Sequence, residues 1–332
     1  MINGIVNVYK EKGFTSHDVV AKLRGILHQK KIGHTGTLDP EAEGVLPVCL
    51  GNATRLCDML TDKDKTYRAV LLLGQTTDTQ DTTGTVLSTC AEIPSEEAVR
   101  SAVTGFIGPY EQVPPMYSAL KVGGKKLYEL AREGKTVERQ ARTVQIYGIT
   151  IEDIQLPRVT MTVSCSKGTY IRTLCHDIGE RLGCGGCMEA LLRTRVGAFV
   201  LADSLRLSEI EKLQSDGNLE NSIVPVEAMF AQYPALRTKA AADRLLYNGN
   251  PLEAQNLQKA PEENASDALS KAALTKAAGA VRRTAEEKCT PESGGTLPPE
   301  EWVRISDSAG RFCGIYRYVP EKRRYQPVKM FL

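Results

Sequence analysis

The sequence lacks any apolar run long enough to cross a membrane. A membrane-spanning helix needs about 18 or more consecutive apolar residues, whereas the longest runs here are of the kind found at Ala69–Leu73. Residues 1–13 also lack the apolar core of a secretory signal peptide. We therefore expect a soluble protein of the cytoplasm.

Motifs that bind nucleotides or form a serine hydrolase site are missing as well. The glycine-rich segment 33–44 does not end in the Gly-Lys-Ser/Thr of a phosphate-binding loop, and no G-x-G-x-x-G follows a predicted strand. No G-x-S-x-G elbow occurs. The sequence thus predicts no nucleotide cofactor and no serine nucleophile.

Cysteine and histidine are too scattered to form an evident metal site. The nine cysteines are an odd number in a long chain, which favours reduced thiols. Cys184 and Cys187 form the only C-x-x-C, and none of the four histidines stands beside a second cysteine pair. We expect no bound metal and small buried or loop thiols, with a metal or redox role for this pair as the alternative.

Charge of one sign is not in excess either. Lys and Arg number 42 and Asp and Glu number 40, which leaves a net charge of +2. Any nucleic-acid contact must then come from local basic patches and not from a global positive field. With 42% hydrophobic residues, the 332-residue chain can bury a sizeable core and is long enough for about two domains.

Strand and helix patterns alternate along the chain without a βαβ period, which predicts an α+β fold. Ser16 is a candidate cap for a helix with an apolar face, and Gly183 is a candidate stop for a later one. The segment 33–51 is rich in Gly and Pro and predicts a tightly folded loop. The predicted strands are 4–9, 67–73, 143–154 and 158–165. A further helix is predicted at 95–106, and the helix that Gly183 stops is predicted at 171–182.

Two short predicted helices, 208–213 and 225–230, end a first domain near residue 233, which gives the domains 1–233 and 234–332. The stretch from about 259 to 299 holds no aromatic residue and is dominated by Ala, Glu, Lys, Ser, Thr and Pro. This composition is too poor in large apolar groups to fold alone, so we expect an insertion of low complexity. Strands at 302–305 and 312–319 around a Ser-Ala-Gly-Arg turn predict a hairpin in a small, mostly β second domain.

Asp39 is the first candidate for chemistry, because it stands between flexible glycines and Pro40, which biases it toward an extended backbone. One interpretation is a turn residue that bonds its own backbone. The other is a nucleophile or general base, which needs a cationic partner to stay ionised when desolvated. Arg172, on the polar face of the helix 171–182, is the candidate partner, and an exposed helix arginine is the alternative.

Basic residues cluster with aromatic ones at 121–142 and 317–329. The first cluster holds seven basic and three acidic residues and includes Lys121, Lys125 and Lys126, with Tyr117 and Tyr128 nearby. This combination suits a phosphate backbone with splayed or stacked bases, as in RNA recognition. Ordinary solvated surfaces are the alternative.

Five long stretches, in order along residues 3 to 200, carry a resemblance to one family. They are Gly33-His-Thr-Gly-Thr-Leu-Asp39-Pro-Glu-Ala-Glu-Gly44-Val-Leu-Pro47 with Gly51-Asn-Ala-Thr-Arg55, Asp64-Lys-Thr-Tyr67, Leu73-Gly-Gln-Thr-Thr-Asp78-Thr-Gln-Asp81, Pro115-Met-Tyr-Ser-Ala-Leu-Lys121 continuing to Tyr128, and Ser166-Lys-Gly-Thr-Tyr170-Ile-Arg172-Thr. Together they strongly resemble the TruB family, the tRNA pseudouridine-55 synthases. The resemblance implies a pseudouridine synthase fold with a mixed, largely antiparallel sheet, followed by a small β-barrel like the PUA modules that hold RNA. The 259–299 stretch departs from a compact PUA pattern.

The resemblance also implies the reaction, which converts a T-loop uridine of tRNA to pseudouridine. The bond from N1 to C1′ breaks, the base turns, and C5 bonds to C1′. Atoms are conserved, so neither a cofactor nor a metal is required. Asp39 matches the catalytic aspartate, which could attack C1′, as in retaining glycosidases, or remove the 2′ proton. The base must first be flipped out of the folded loop.

Other residues match family positions around this aspartate. Tyr67 matches a tyrosine implied to stack on the flipped uridine and to assist proton removal at C5, and Arg172 matches the arginine that pairs with the aspartate. The implied substrate-binding residues are His34, near the vacated base position, Tyr170 and Leu191, lining the uridine pocket, and Lys10, near the cleft. For Leu191, a plain core role is an equal alternative.

Two other functions stay open at this point. One is an RNA-binding module that assists tRNA folding and in which catalysis is dispensable. The other is an RNA-guided synthase of the related archaeal and eukaryotic type, which needs protein partners. The leading prediction is a stand-alone, monomeric enzyme whose partner is the T loop and T stem of tRNA.

Overall fold

The computed structural model describes residues 1–260 and 302–332. The insertion predicted at about 259–299 therefore lies outside the described residues from residue 261 onward. None of the helices in the described ranges combines the length and apolar character that a membrane span requires.

The first sheet is built from strands that bury alternate side chains. In the strand Lys65–Leu73, every odd-numbered residue is buried, as the period of two in a strand dictates. The bounds of the nine strands are β1 (Gly4–Lys10), β2 (Ile32–His34), β3 (Glu43–Leu50), β4 (Lys65–Leu73), β7 (Gly108–Gln112), β10 (Arg142–Gln155), β11 (Arg158–Cys165), β12 (Gly186–Val196) and β13 (Phe199–Val200). Two small hairpins pair β5 (Gln75–Thr77) with β6 (Val86–Thr89) and β8 (Lys121–Val122) with β9 (Lys125–Lys126).

The order of the main path is β1-β3-β12-β4-β11-β10-β7, with β2 beside β3 and β13 beside β12. All of these pairs are antiparallel except β12 with β3. The expected mixed, largely antiparallel sheet is confirmed. The expectation of a loop over all of 33–51 was wrong in part, because residues 43–50 form the buried strand β3 and only 35–42 remain a loop.

The described helices are α1 (Ser16–Ile26), α2 (Cys57–Thr61), α3 (Glu96–Thr104), α4 (Leu127–Arg132), α5 (Ile171–Leu182), α6 (Leu207–Ser215) and α7 (Asp243–Tyr247). Helix α1 begins one residue earlier than expected, since Thr15 is its cap and forms a capping box with Asp18. Ser16 is instead buried in the first turn. Helix α5 ends as expected at Gly183, which adopts φ 75°.

Four helices cover one face of the first sheet. Arg193 of β12 stands opposite both Tyr67 of β4 and Gly44 of β3, so these three positions share a face. On that face, α3 and α5 pack over β4, β11 and β12, and α1 and α6 pack over β1 and β3. The site described below lies where these two groups of helices meet.

The second sheet contains six strands and curls into a nearly closed barrel. Its order is β15-β19-β18-β17-β14-β16, formed by β14 (Ala235–Thr238), β15 (Leu252–Glu253), β16 (Leu257–Lys259), β17 (Trp302–Ser306), β18 (Phe312–Val319) and β19 (Arg324–Met330). The predicted hairpin of β17 and β18 is confirmed. The α+β fold class is likewise confirmed.

The second sheet packs against the face of β1 and β3 that the helices leave free. The rings of Phe230, Phe312 and Phe331 lie 5.7 to 6.1 Å apart in a cluster with Ile5 and Val45. Polar contacts at the edge include an ion pair from Lys329 to Asp58 at 2.6 Å. The two sheets thus share one apolar cluster, and the division of the chain at residue 233 stays a prediction.

Candidate active site

Asp39 lies in the loop 35–42 between β2 and β3, and this loop is fixed by hydrogen bonds. The Ser16 hydroxyl accepts from the Leu38 N–H at 3.0 Å, which ties the loop to the first turn of α1. The Gly13 N–H donates to the Pro40 carbonyl at 2.9 Å on the other side of Asp39. The hydrogen bond between Ser16 and Leu38 explains why Ser16 is buried. The Asp39 carboxylate is therefore held on a rigid backbone.

Arg172 binds both oxygens of this carboxylate. Its Nε lies 3.0 Å from Oδ2 of Asp39, and its Nη2 donates to Oδ1 at 3.3 Å. The Arg172 side chain is 6% exposed and that of Asp39 is 39% exposed. One hydrogen bond and one ion-pair contact thus hold the two carboxylate oxygens in a fixed orientation. Asp39 is oriented by Arg172 and open to a ligand.

The remaining donors of Arg172 are also used. Nη1 donates to the Thr79 carbonyl at 3.0 Å, and Nη2 donates to the Tyr117 carbonyl at 2.8 Å. Helix α5 begins directly before this residue, and the preceding Tyr170 backbone is clamped by two hydrogen bonds to the buried Gln112 side chain. The alternative of an exposed helix arginine was wrong, because two segments from elsewhere in the chain cover this face of α5.

Asp81 is a second carboxylate at this arginine, and the sequence analysis gave it no role. Its Oδ2 lies 3.8 Å from Nη1 of Arg172, while its Oδ1 accepts hydrogen bonds from Thr79 and Thr83. The sequence feature that could have identified Asp81 is its position at the end of the third family-like stretch, residues 73–81. A small cleft beside Asp39 has Asp81, Met188 and Leu191 among its lining residues.

Leu191 packs in the core and also lines the cleft, and its contact with the uridine stays a prediction. It lines the cleft with Asp39, and it also packs against the buried cluster under α5. Leu191 lies opposite Ala69, where β12 passes from the core to the cleft, and this position explains its contacts with both.

Lys10 is fully buried at the end of β1 and holds the other side of the Asp39 loop. Its Nζ donates to the carbonyls of Ala42 at 2.6 Å and Pro40 at 3.0 Å. Burial lowers the pKa of Lys10 to about 8, and the charge of Asp39 opposes this shift. Lys10 therefore holds the Asp39 loop by hydrogen bonds, and its charge interacts with that of the nearby Asp39.

Tyr67 is buried on β4, on the same face as the loop. Burial raises the pKa of Tyr67 to about 12, and the adjacent Arg193 charge opposes this rise. A phenol with this pKa is protonated at neutral pH. Arg193 was not singled out in the sequence, where it is one arginine in a Leu-Leu-Arg-Thr-Arg run.

His34 ends β2 at the start of the loop and is half-buried. Burial and the nearby His17 lower the pKa of His34. Its Nδ1 accepts from the Gly36 N–H at 3.3 Å, so the neutral ring carries its proton on Nε2. The ring can thus donate one hydrogen bond to a ligand above the loop.

The three predicted RNA-contacting lysines lie together, outside the cleft. Lys121, Lys125 and Lys126 are on the β8–β9 hairpin, whose turn Gly123-Gly124 has φ values of 58° and 85°. Positive φ at both turn residues is the requirement of a type I′ hairpin, which explains the two glycines. Tyr117, four residues before the hairpin, accepts the hydrogen bond from Arg172, so the hairpin adjoins the site.

The cysteine pair Cys184 and Cys187 is buried, and neither thiol belongs to a candidate metal cluster among residues 1–260 and 302–332. Burial raises the pKa of both thiols. Their surroundings within these ranges are those of small core residues.

Comparisons with known proteins agree over the whole chain. Residues 24–171 match the model of the N-terminal domain of TruB family pseudouridylate synthases, and residues 172–231 match that of the C-terminal domain of tRNA pseudouridylate synthase B. A protein of Lachnoclostridium phytofermentans named tRNA pseudouridine synthase B is 50% identical, with 100% of both chains covered. Another of that name, from Alkaliphilus oremlandii, is 49% identical over 75% of this chain and 82% of its own.

Among solved structures, a Cbf5–Nop10–Gar1 complex contains a chain that is 25% identical to this one. The match has a TM-score of 0.66 and covers 99% of this chain and 85% of that one. The similarity thus extends through both sheets.

Proposed function

Because the chain belongs to the TruB family of pseudouridylate synthases, we propose that it isomerises the T-loop uridine of tRNA with Asp39 as its catalytic carboxylate. It is a tRNA pseudouridine synthase, an isomerase. The observation that carries the assignment of Asp39 is its ion pair with the buried Arg172, which contacts both carboxylate oxygens at an open cleft. We place its action in the cytoplasm, as a monomer.

The Asp39 carboxylate supports two routes. It can attack C1′ as the bond to N1 breaks, which gives an ester that C5 of the turned base later displaces. It can instead remove the 2′ proton as the bond to N1 breaks, which gives a glycal. C5 then adds to C1′ and the carboxyl returns the proton to C2′. Both routes end with a proton lost from C5 and one gained at N1, so atoms balance without a co-reactant. Both also need the carboxylate that Arg172 orients.

The other predicted site residues surround the flipped base in this proposal. Tyr67, protonated at neutral pH, provides a stacking surface, and Tyr170 and Leu191 line the pocket. His34 donates its Nε2 proton to the RNA near the vacated position. Stacking and base-edge contacts of this kind recover the few kcal/mol that flipping a base costs.

The second sheet is proposed to hold the tRNA outside the T loop. Its strands β18 and β19 present Arg317 and the paired rings of Tyr318 and Tyr325, 5.0 Å apart, and Arg323 stands in the turn between the two strands. The proposed division into domains 1–233 and 234–332 follows the same assignment: the first domain carries out the reaction, and the second binds the tRNA.

The alternatives that the sequence left open receive less support. Relatives named tRNA pseudouridine synthase B reach 50% identity, against 25% for the chain of the Cbf5–Nop10–Gar1 complex. A module without catalysis has no need for a buried arginine that orients an exposed carboxylate.

The test is to incubate the purified chain, treated with EDTA, with an unmodified tRNA transcript. Pseudouridine is then mapped by carbodiimide-dependent stops of reverse transcription. We expect one new stop in the T loop, and none when the T-loop uridine is replaced by cytidine. A stop elsewhere would overturn the T-loop assignment, and no stop with intact tRNA binding would favour the folding or partner-dependent functions.

The pKa of Lys10 predicts an alkaline limit to the reaction. Below about pH 8 its ammonium has three donors for three acceptors, the carbonyls of Pro40 and Ala42 in the Asp39 loop and that of Glu11, and above this pH the neutral amine has only two donors and no charge. We expect the single-turnover rate constant to fall severalfold as the pH rises through about 8. In Lys10→Arg, whose side chain stays charged, the fall should move to higher pH, and an unchanged profile would contradict the role of Lys10.

The lysines of the β8–β9 hairpin predict a change in salt dependence. Lys121→Gln with Lys125→Gln should lower the slope of log affinity for tRNA against log salt by about 1.5, since each phosphate contact contributes about 0.7 to 0.9. Lys22→Gln with Lys212→Gln, on the exposed faces of α1 and α6, is the matched control and should keep the slope. Equal slopes for both variants would remove the hairpin from the RNA contact surface.

A further inference from the structure

Arg193 is a fully buried cation that the reaction as described so far does not use. It is among the largest fully buried side chains of residues 1–260 and 302–332 and is 1% exposed. Within the described part of the chain it forms no ion pair with a carboxylate. Burying a charge without a counter-charge is costly, and an apolar residue of similar volume is often the more stable choice. Packing alone therefore does not explain an arginine at this position.

The guanidinium of Arg193 binds the Asp39 loop and the strand that follows it. Nη2 donates to the Gly36 carbonyl at 3.3 Å, Nη1 to the Thr37 carbonyl at 3.4 Å, and Nε to the Val45 carbonyl at 2.7 Å. Thr37 precedes Asp39 by two residues. Arg193 thus fixes the entry to the loop, while Lys10 fixes its exit.

The same guanidinium reaches Tyr67. The two residues are directly opposed on β12 and β4, and the Tyr67 phenol is close enough to the guanidinium for each group to affect the pKa of the other. A single side chain therefore connects the carboxylate loop to the aromatic ring on the neighbouring strand.

Gly44 permits this close arrangement. It stands opposite Arg193 on β3 with φ +106°, and a Cβ there would lie 2.3 Å from the Arg193 carbonyl oxygen. Any larger residue would push β12 away from β3 and move the guanidinium out of reach of the loop carbonyls.

We propose that Arg193 is a positioning residue for the isomerisation, which holds Asp39 and Tyr67 at a fixed separation across the flipped uridine. This inference rests on the proposed function, since it assigns Asp39 and Tyr67 to the two sides of the target nucleotide. The fork of donors, and not the charge alone, sets the geometry, because a planar guanidinium reaches several carbonyls in fixed directions.

The test compares Arg193→Lys and Arg193→Met with the unaltered chain, in single-turnover pseudouridine formation and in tRNA binding. We expect Arg193→Lys to lower the rate constant about 30-fold and Arg193→Met more, while Kd for tRNA changes less than twofold. Arg195→Lys is the matched control on the same strand, where the guanidinium contacts Thr66 and Gly197 instead, and it should keep the rate. In a Tyr67→Phe background, Arg193→Lys should cost less than it does alone, because one contact is already missing.

A merely structural role gives another result. It predicts a lower Tm for Arg193→Lys but an unchanged rate constant at a temperature where the variant is folded, and this outcome would overturn the inference. A rise in Kd as large as the fall in rate would also overturn it. Failure of the unaltered chain to form pseudouridine would instead refute the proposed function, so the two failures are distinguishable.

Discussion

Asp39→Asn should abolish pseudouridine formation and leave tRNA binding intact. Asparagine has the shape of aspartate and can still accept from Arg172, but its amide can neither attack C1′ nor take up the 2′ proton. Loss of a catalytic nucleophile or base lowers the rate constant by on the order of 10⁴-fold or more. The measurement is single-turnover tritium release from tRNA labelled at C5 of uridine, with tRNA Kd from filter binding.

The matched control is Glu96→Gln, the same change of carboxylate to amide in the first turn of α3. Glu96 is exposed and pairs with Arg100 at 3.6 Å, and such surface pairs contribute a few tenths of a kcal/mol. Glu96→Gln should leave both the rate constant and the Kd for tRNA unchanged. Retained turnover in pure Asp39→Asn would refute the assignment of Asp39, and a large loss of tRNA binding would assign it to recognition.

Arg172→Lys should lower the rate constant by about 10²- to 10³-fold, with a smaller effect on Kd. An ammonium is a point charge and cannot bind both Asp39 oxygens while it also serves the Thr79 and Tyr117 carbonyls. Unpaired buried carbonyls destabilise a protein by about 1–3 kcal/mol each. The Tm should therefore fall as well, and rates must be measured where the variant is folded.

Arg181→Lys on the same helix is the control for Arg172→Lys. Arg181 is exposed, with its guanidinium 4.9 Å from the centre of the Phe106 ring, so its replacement should have little effect on rate. If Arg172→Lys reacted as fast as the unaltered chain, the pair with Asp39 would not matter for the chemistry.

Much of the fold could be predicted because the signals are local. Alternation of apolar residues located β11, Gly183 ended α5, and the Ser-Ala-Gly-Arg turn located the β17–β18 hairpin. The error at the start of α1 was small in sequence but came from a long-range contact. Thr15, not Ser16, caps the helix, and the hydroxyl of Ser16 bonds instead to Leu38, 22 positions away.

The site was predictable only in part. Motif resemblance pointed to Asp39, Tyr67 and Arg172, and the need of a desolvated carboxylate for a cation pointed independently to Arg172. Asp81 and Arg193 were missed, since an aspartate in a threonine-rich turn and an arginine in a strand have no local pattern that marks them as buried.

The sequence by itself determined the α+β elements, the low-complexity composition of 259–299 and the family-like motifs, because each depends on neighbouring residues. Only the tertiary structure decided which charges are buried together. Arg172 and Asp39 are 133 positions apart, and Arg193 lies 157 positions from Gly36. Burial and hydrogen bonding at such separations follow from sheet order and helix packing, and these long-range contacts fix the carboxylate, the ring and the cleft in one place.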